Sequence, residues 1–164
     1  MHAARLYPQA HFFGIDVSTE MLTSAISAIA RRDLAKRVRV AHGDGTAFNP
    51  QVLFGIPQFD HVMISYSLSM IPDWRHVLQA AASRLKPGGS LHIVDFGHQE
   101  RLPAIARTLL KHWLALFDVT PRDDLERALS VMARTFGADL RFERPFRGYA
   151  QYAVLTLPPA STAA

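Results

Sequence analysis

Two carboxylates stand directly behind short apolar runs. Asp16 follows His11-Phe12-Phe13-Gly14-Ile15, and Asp44 lies between Gly43 and Gly45 after Val38-Arg39-Val40-Ala41. A carboxylate past a strand end accepts two hydrogen bonds at once, which suits the paired hydroxyls of a ribose. Flanking glycines let backbone approach a flat ligand closely, and Asp44 can accept from an exocyclic amine there. Each has a local alternative: Asp16 as a cap for a helix beginning near Thr19, and Asp44 in an ordinary Asp-Gly turn. A third run, Phe59 to Ile64, leads into Ser65-Tyr66-Ser67. The Tyr66 ring face can hold a cationic centre by about 0.5–2 kcal/mol, or simply pack. His98, just past Asp95-Phe96-Gly97, is placed to take a proton from an amine. His92 alternates with strand core residues and reads as structural. The eight histidines show no HExxH or other metal spacing. The absence of cysteine excludes a thiolate zinc site, a cysteine nucleophile and a disulfide framework.

These residues need strands and helices to position them. Apolar β-branched runs alternate with helical patterns, which predicts βαβ units and a parallel sheet. Strands are expected at 11–15, 38–41, 59–64 and 91–95. A helix capped by Ser18 should run through Arg32, with Glu20 in its first turn and Met21, Leu22, Ala25, Ile26 and Ile29 on one face. Residues 49–58 read as loop, and 74–84 as a helix. That helix leads into Leu85-Lys86-Pro87-Gly88-Gly89-Ser90. Pro87 pre-sets φ there, and Gly88 can take the positive φ of a type II turn. Two further helices are expected at 103–117 and 121–136, the second with Thr120 as cap, Pro121 at its first position and Gly137 closing it. The runs 140–144 and 152–157, joined through Arg147-Gly148-Tyr149, read as an antiparallel pair. A Pro- and Ala-rich tail from Pro158 is expected to fray.

At 164 residues the chain fits one domain with a real core. Its 49% hydrophobic and 20% charged residues are those of a globular protein rather than a disordered one. No apolar run reaches the roughly 20 residues of a membrane span, and the first eight residues lack the apolar core of a signal peptide. The net charge of +4 mildly favours anionic partners. Basic residues are scattered, with Arg31-Arg32 and Lys36-Arg37 as adjacent pairs and no aromatic-interleaved basic stripe, so no nucleic-acid partner is expected.

The Pro-Gly-Gly turn, with the strand ends Ile15-Asp16-Val17-Ser18, Gly43-Asp44-Gly45-Thr46 and Ile64-Ser65-Tyr66-Ser67, resembles the S-adenosylmethionine-dependent methyltransferases. The resemblance implies an α/β fold: a doubly wound, mostly parallel sheet ending in an antiparallel hairpin, with ligands beyond the carboxyl ends of the strands. It implies S-adenosyl-L-methionine as cofactor. Asp16 would then hold the ribose beside Val17 and Met21. Asp44 would contact adenine, with Gly43, Gly45 and Thr46 around it, and Ser65 and Tyr66 would line the methyl-transfer neighbourhood. Transfer from a sulfonium is an in-line displacement that needs alignment and exclusion of water more than acid–base help. The lack of a catalytic triad agrees with that.

The chain departs from the family in one respect. The family's glycine-rich turn, E/D-x-G-x-G-x-G, is absent, and Ala3-Ala4-Arg5-Leu6-Tyr7-Pro8-Gln9-Ala10 resembles the tail of the helix that would follow it. The expectation is a methyltransferase domain over residues 1–157, truncated at its N-terminal side and lacking the first strand and glycine loop. Residues 158–164 would form a flexible tail. Backbone groups left unpaired by a missing strand cost about 1–3 kcal/mol each when buried. The chain alone is therefore expected to bind cofactor poorly.

The segments Ser65 to Trp74, Leu91 to Gly97 and Arg147-Gly148-Tyr149-Ala150 resemble more closely the betaine-lipid N-methyltransferases. That resemblance implies methylation of a lipid-linked amine such as diacylglyceryl-homoserine, with Tyr66 and Tyr149 partly caging the ammonium. A basic amphipathic helix from Arg101, with Leu102, Ile105, Leu109, Trp113 and Leu116 on one face, suits a lipid surface or ordinary core packing. A cytoplasmic protein, in peripheral contact with the inner face of the membrane, is the matching expectation. Alternative acceptors are a quinone, a sterol or a small amine. Alternative classes are a nicotinamide-dependent dehydrogenase and a non-catalytic, incomplete methyltransferase fragment.

Overall fold

A computed structural model describes residues 2–97 and 120–160. The expectations for His98, for the basic helix from Arg101 and for the last four residues lie outside the described residues. The chain divides into two compact units, Met1–Pro57 and Gln58–Ala164.

The first unit runs α1 (His2–Leu6), β1 (Phe12–Asp16), α2 (Thr19–Ala30), β2 (Val38–His42) and α3 (Pro50–Phe54). Strands β1 and β2 pair in parallel, from Phe12 opposite Val38 to Asp16 opposite His42. Helix α2 starts where the sequence places it because Ser18 is extended and its hydroxyl accepts from Met21 N at 3.2 Å. Its inner face buries Ile29 with Ala4 and Leu34, against the partly buried Phe12, Val38 and Val40. The Arg37 guanidinium donates to the carbonyls of Ala4, Tyr7 and Ala10, tying α1 and the turn after it to the start of β2.

Helix α3 replaces part of the expected loop at 49–58. The signals for it are local. Asn49 Oδ1 accepts from Gln51 N and Val52 N, Pro50 occupies the first helical turn, and Gly55 closes the helix at φ +77°. Phe54 at its end is buried, 5.1 Å from the Phe13 ring.

The second unit runs β3 (Phe59–Ser65), a 3₁₀ turn (Leu68–Met70), α4 (Trp74–Ser83), β4 (Leu85–Phe96), α5 (Leu125–Phe136), β5 (Asp139–Glu143), α6 (Pro145–Gly148) and β6 (Ala150–Thr156). Its sheet has the order β3-β4-β6-β5. The β3–β4 pair is parallel, while β6 runs antiparallel to both β4 and β5. The final antiparallel pair is as expected, but α6 replaces the plain turn between its strands. Among the described residues β1 and β3 each have a strand partner on one side only.

Period-2 alternation along β4 sends Leu91, Ile93 and Asp95 into the core and leaves His92 and Val94 half-buried on the other face. Helix α4 covers the core with Trp74, Val77, Leu78, Ala81 and Ala82, and α5 with Leu125 and Leu129. On the opposite face, Ser90 Oγ lies 2.8 Å from His61 Nδ1 and 2.9 Å from His92 Nε2. His92 Nδ1 faces the Tyr152 hydroxyl, so His92 is part of a polar network across three strands, the structural role its position suggests.

The Pro-Gly-Gly segment lies inside β4 rather than before it. Phe59 pairs with Leu85 and His61 with Ser90, so residues 86–89 bulge from the ladder. Gly88 takes φ +76°, as its turn position demands. Its N–H donates to Pro158 O, and Leu157 N donates to Gly89 O, which prolongs the β4–β6 ladder through the bulge. Pro158 is therefore held, not frayed. Helix α5 also begins later than expected: Thr120 is not its cap, and Pro121 is outside it. Residues 120–122 make other contacts, described below.

Candidate functional site

In a parallel pair both strands end on the same rim, so Asp16 and Asp44 are neighbours in the first unit. Gly43 N donates to Asp16 O at 3.1 Å, joining the two strand ends directly. Asp16 is half-buried, and its Oδ1 accepts from Ser18 N at 2.9 Å. The local capping alternative is thus part of its geometry, while the second oxygen has no partner among the described residues. Val17 and Met21 flank Asp16 with large exposed side chains, at 64% and 60% exposure. An apolar shelf beside an acceptor carboxylate suits a nucleoside, whose base is flat and apolar and whose sugar offers hydroxyl donors.

Asp44 closes an Asx turn, its Oδ1 accepting from Thr46 N and Thr46 Oγ1, both at 2.8 Å. The bond from the Thr46 backbone N–H, reinforced by its hydroxyl, holds the Asp44 carboxyl below the usual range. It stays charged and points to solvent, able to accept from an amine. Gly43 serves packing: an added Cβ would lie 3.3 Å from Ile15 Cγ2 and 3.4 Å from Leu53 Cδ1. Gly45 and Thr46 complete this strand end.

In the second unit the rim is aromatic. Ser65 ends β3, and Tyr66 follows with φ +51°, a left-handed backbone that a bulky residue adopts only when held there. Tyr66 N donates to Val94 O at 2.7 Å. The Tyr66 ring lies 4.8 Å from that of Phe96, and the Phe96 ring 6.0 Å from that of Tyr149. The two tyrosines singled out from sequence are therefore brought to one cluster, with Phe96 between them. Phe96 was missed because its strand pattern reads as core. Gly97 and Gly148 draw the pieces together: Gly97 N donates to Tyr149 O at 2.8 Å, and a Cβ on Gly97 would collide with Gly148 O. His98 lies outside the described residues.

Behind this cluster is a set of buried polar residues that sequence reasoning also missed. Asp95 and Gln151 are cross-strand partners, each 1% exposed. Asp95 Oδ2 accepts from Ser69 N at 3.0 Å, and Gln151 Nε2 donates to the carbonyls of Phe96 and Arg122 at 3.1 Å. Ser69 Oγ and Gln151 Oε1 are buried without a hydrogen-bond partner among the described residues. Among the described residues no group of three or more His, Cys, Asp or Glu is placed to hold a metal ion.

A family model described as a methyltransferase domain matches residues 1–91. Demethylmenaquinone methyltransferase from Listeria monocytogenes is 33% identical over 95 residues, covering 58% of this chain and 38% of that protein. The protein of that name from a Geobacillus species is 33% identical over 84 residues, covering 51% of this chain and 34% of the relative. The chain thus spans well under half the length of these curated relatives. Among solved structures, an O-methyltransferase family protein from Burkholderia thailandensis superposes with TM-score 0.69 at 19% identity, covering 96% of this chain and 46% of that one. A methyltransferase from Methanosarcina mazei superposes with TM-score 0.66 at 16% identity, covering 96% of this chain and 86% of that one. At such identities these two matches establish the fold.

Proposed function

The chain belongs to the methyltransferase-domain family, and on that premise we propose that it serves S-adenosylmethionine-dependent methyl transfer to a flat, apolar acceptor of the reduced-quinone (quinol) type, whose electron-rich ring takes the methyl and gives up a proton. The donor-binding part of this reading rests on the first unit's rim. Asp16 would accept from the ribose hydroxyls, Val17 and Met21 would shelve the adenine, and Asp44 would accept from its exocyclic amine. When bound, the cofactor supplies an electrophilic methyl on a sulfonium. Nothing in this sequence matches the glycine turn that would cradle its amino-acid end, so the residues present fit the adenosine part only.

The observation that carries the acceptor part is the Tyr66–Phe96–Tyr149 cluster. Aromatic faces and edges hold a flat ring by offset or edge contacts worth about 0.5–1.5 kcal/mol each, and they exclude water. The relatives named for demethylmenaquinone support a quinone-type acceptor for this chain. The same rings favour a second reading, the lipid-linked amine, because they can also face an ammonium. Lipid contact at the inner membrane face belongs to that second reading.

Labelled methyl transfer separates the readings. The chain would be incubated with millimolar donor, to load a weak site, and with either a reduced naphthoquinone or vesicles bearing diacylglyceryl-homoserine. Label in the quinone fraction supports the first reading and label in the lipid fraction the second. Label in neither, with no donor contact by NMR, supports the non-catalytic alternative.

A further inference from the structure

The geometry points to Arg122 as a positioning residue for the aromatic rim, acting through the turn that follows β3. This inference rests on the reading of that rim as the acceptor side. Arg122 lies on the segment entering α5, far in sequence from Tyr66, and the sequence gives no sign of its role. Its Nε donates to Leu68 O at 3.0 Å, and its Nη2 to Ile71 O at 2.8 Å and Ser69 O at 3.4 Å. These three carbonyls surround the C-terminal end of the 3₁₀ turn Leu68–Met70.

Asp95 engages the same turn from its opposite dipole end, accepting from Ser69 N. A carboxylate at the N–H side and a guanidinium at the carbonyl side complement the turn's dipole at both ends. Thr120 N adds a bond to Ser69 O at 2.9 Å. Gln151, through Nε2, fastens the Arg122 carbonyl to the same side chain that holds Phe96 O. One chain of bonds thus links the turn, Arg122, β6 and the end of β4, which carries the central ring.

The consequence falls on Tyr66. It precedes the turn by two residues, stands in a left-handed backbone and meets Phe96. A left-handed tyrosine drifts to an ordinary conformation unless both flanks are fixed. Val94 O fixes one flank through Tyr66 N, and the Arg122-held turn fixes the other. The planar fork suits this role because its nitrogens are spread to reach separate carbonyls, whereas a lysine offers its donors from one point and covers them only in part. Arg122 touches neither donor nor acceptor in this assignment; it sets where the Tyr66 ring stands.

The test uses the full chain with Arg122→Gln and Arg122→Lys, read by amide hydrogen exchange and by NMR titration with menadione, a soluble naphthoquinone. With no cysteine, the chain has no thiol for the probe to alkylate. In Arg122→Gln, exchange at Ser69 and Thr120 should quicken at least tenfold, while Leu91 to Val94 and Ala153 to Leu155 stay unchanged. Menadione affinity should fall at least fivefold, with Arg122→Lys between wild type and Arg122→Gln. Unchanged exchange at Ser69, or faster exchange with unchanged menadione affinity, overturns the positioning role alone. If the wild-type chain binds no menadione, the acceptor reading of the rim fails, and this role with it. Should Arg122→Gln not fold, Arg122→Lys carries the same comparison.

Discussion

The two units meet the same physical problem with unequal means. In the first, the buried cluster is Ala4, Ile29 and Leu34, and every residue of β1 is only half-buried. In the second, fourteen buried residues from strands and helices form one cluster, with Leu68, Leu78, Leu91, Ile93, Leu125, Leu129 and Leu155 fully buried. A strand of a parallel sheet is stable when covered on both faces and paired on both sides. Among the described residues β4 and β6 are paired on both sides and β1 on one side only. The acids Asp16 and Asp44 thus stand on the weaker frame and the aromatic rim on the stronger one.

The sharpest way to break this comparison is to remove core side chains. Leu91→Ala should lower the stability of the second unit by about 2–5 kcal/mol, because the packed cluster cannot close the cavity. Ile29→Ala should cost less, as its thin cluster relaxes around the gap. Urea unfolding, followed by residue-resolved NMR, would show the first unit melting at lower denaturant in the wild type. Equal midpoints for the two units would refute the contrast.

Asp16→Asn probes the weaker frame at its chemistry. The amide oxygen still accepts from Ser18 N, so the start of α2 should survive. Loss of charge should weaken contact with S-adenosylhomocysteine about tenfold, close to 1.4 kcal/mol, by NMR titration. In the wild type, saturation transfer should be strongest at adenine and ribose protons and weakest along the amino-acid end.

On the stronger frame, Tyr66 carries backbone strain. Tyr66→Ala keeps the strain and loses the ring, whereas Tyr66→Gly loses both. Tyr66→Gly should therefore be more stable than Tyr66→Ala by about 1 kcal/mol, measured by chemical denaturation. Both should lose menadione binding. Equal stability would mean that the left-handed backbone carries no penalty there.

The smallest effect concerns pH. Burial, aided by the nearby His61, lowers the His92 pKa below its ordinary 6.5. Folding therefore favours the neutral ring, and its contribution is present above pH 6.5 and lost as pH falls through the depressed value. A protonated His92 can no longer accept from the Ser90 hydroxyl at Nε2. The second unit should lose stability as pH falls below 6.5, and His92→Gln should flatten that dependence in thermal melts. The first unit should show no corresponding change from this substitution.

Much of the frame was legible because its signals are local. Ser18 followed by Glu20 and a 3.6-period apolar face marks α2, and alternation marks the core of β4. Asn49-Pro50 and Gly55 marked α3 just as locally, and reading the segment as loop overlooked them. The start of α5 was misplaced for a different reason. Thr120-Pro121 has the chemistry of a helix entry, but Thr120 N–H and the Arg122 guanidinium are drawn to carbonyls some fifty residues away. No local pattern encodes that competition.

Residue type and spacing alone determined that an acid ends β1 and another follows β2, that Tyr66 follows β3, and that Gly88 turns left-handed. Each depends on backbone and side-chain preferences within a few residues. Tertiary structure alone decided that Phe96 stands between Tyr66 and Tyr149, that Gly97 must lack a side chain beside Gly148, and that Asp95 and Arg122 hold the turn after β3 while Gln151 holds the Arg122 carbonyl. Those facts depend on the register of β4 against β6 and on burial, which makes an unpaired polar group expensive only once the chain has closed around it.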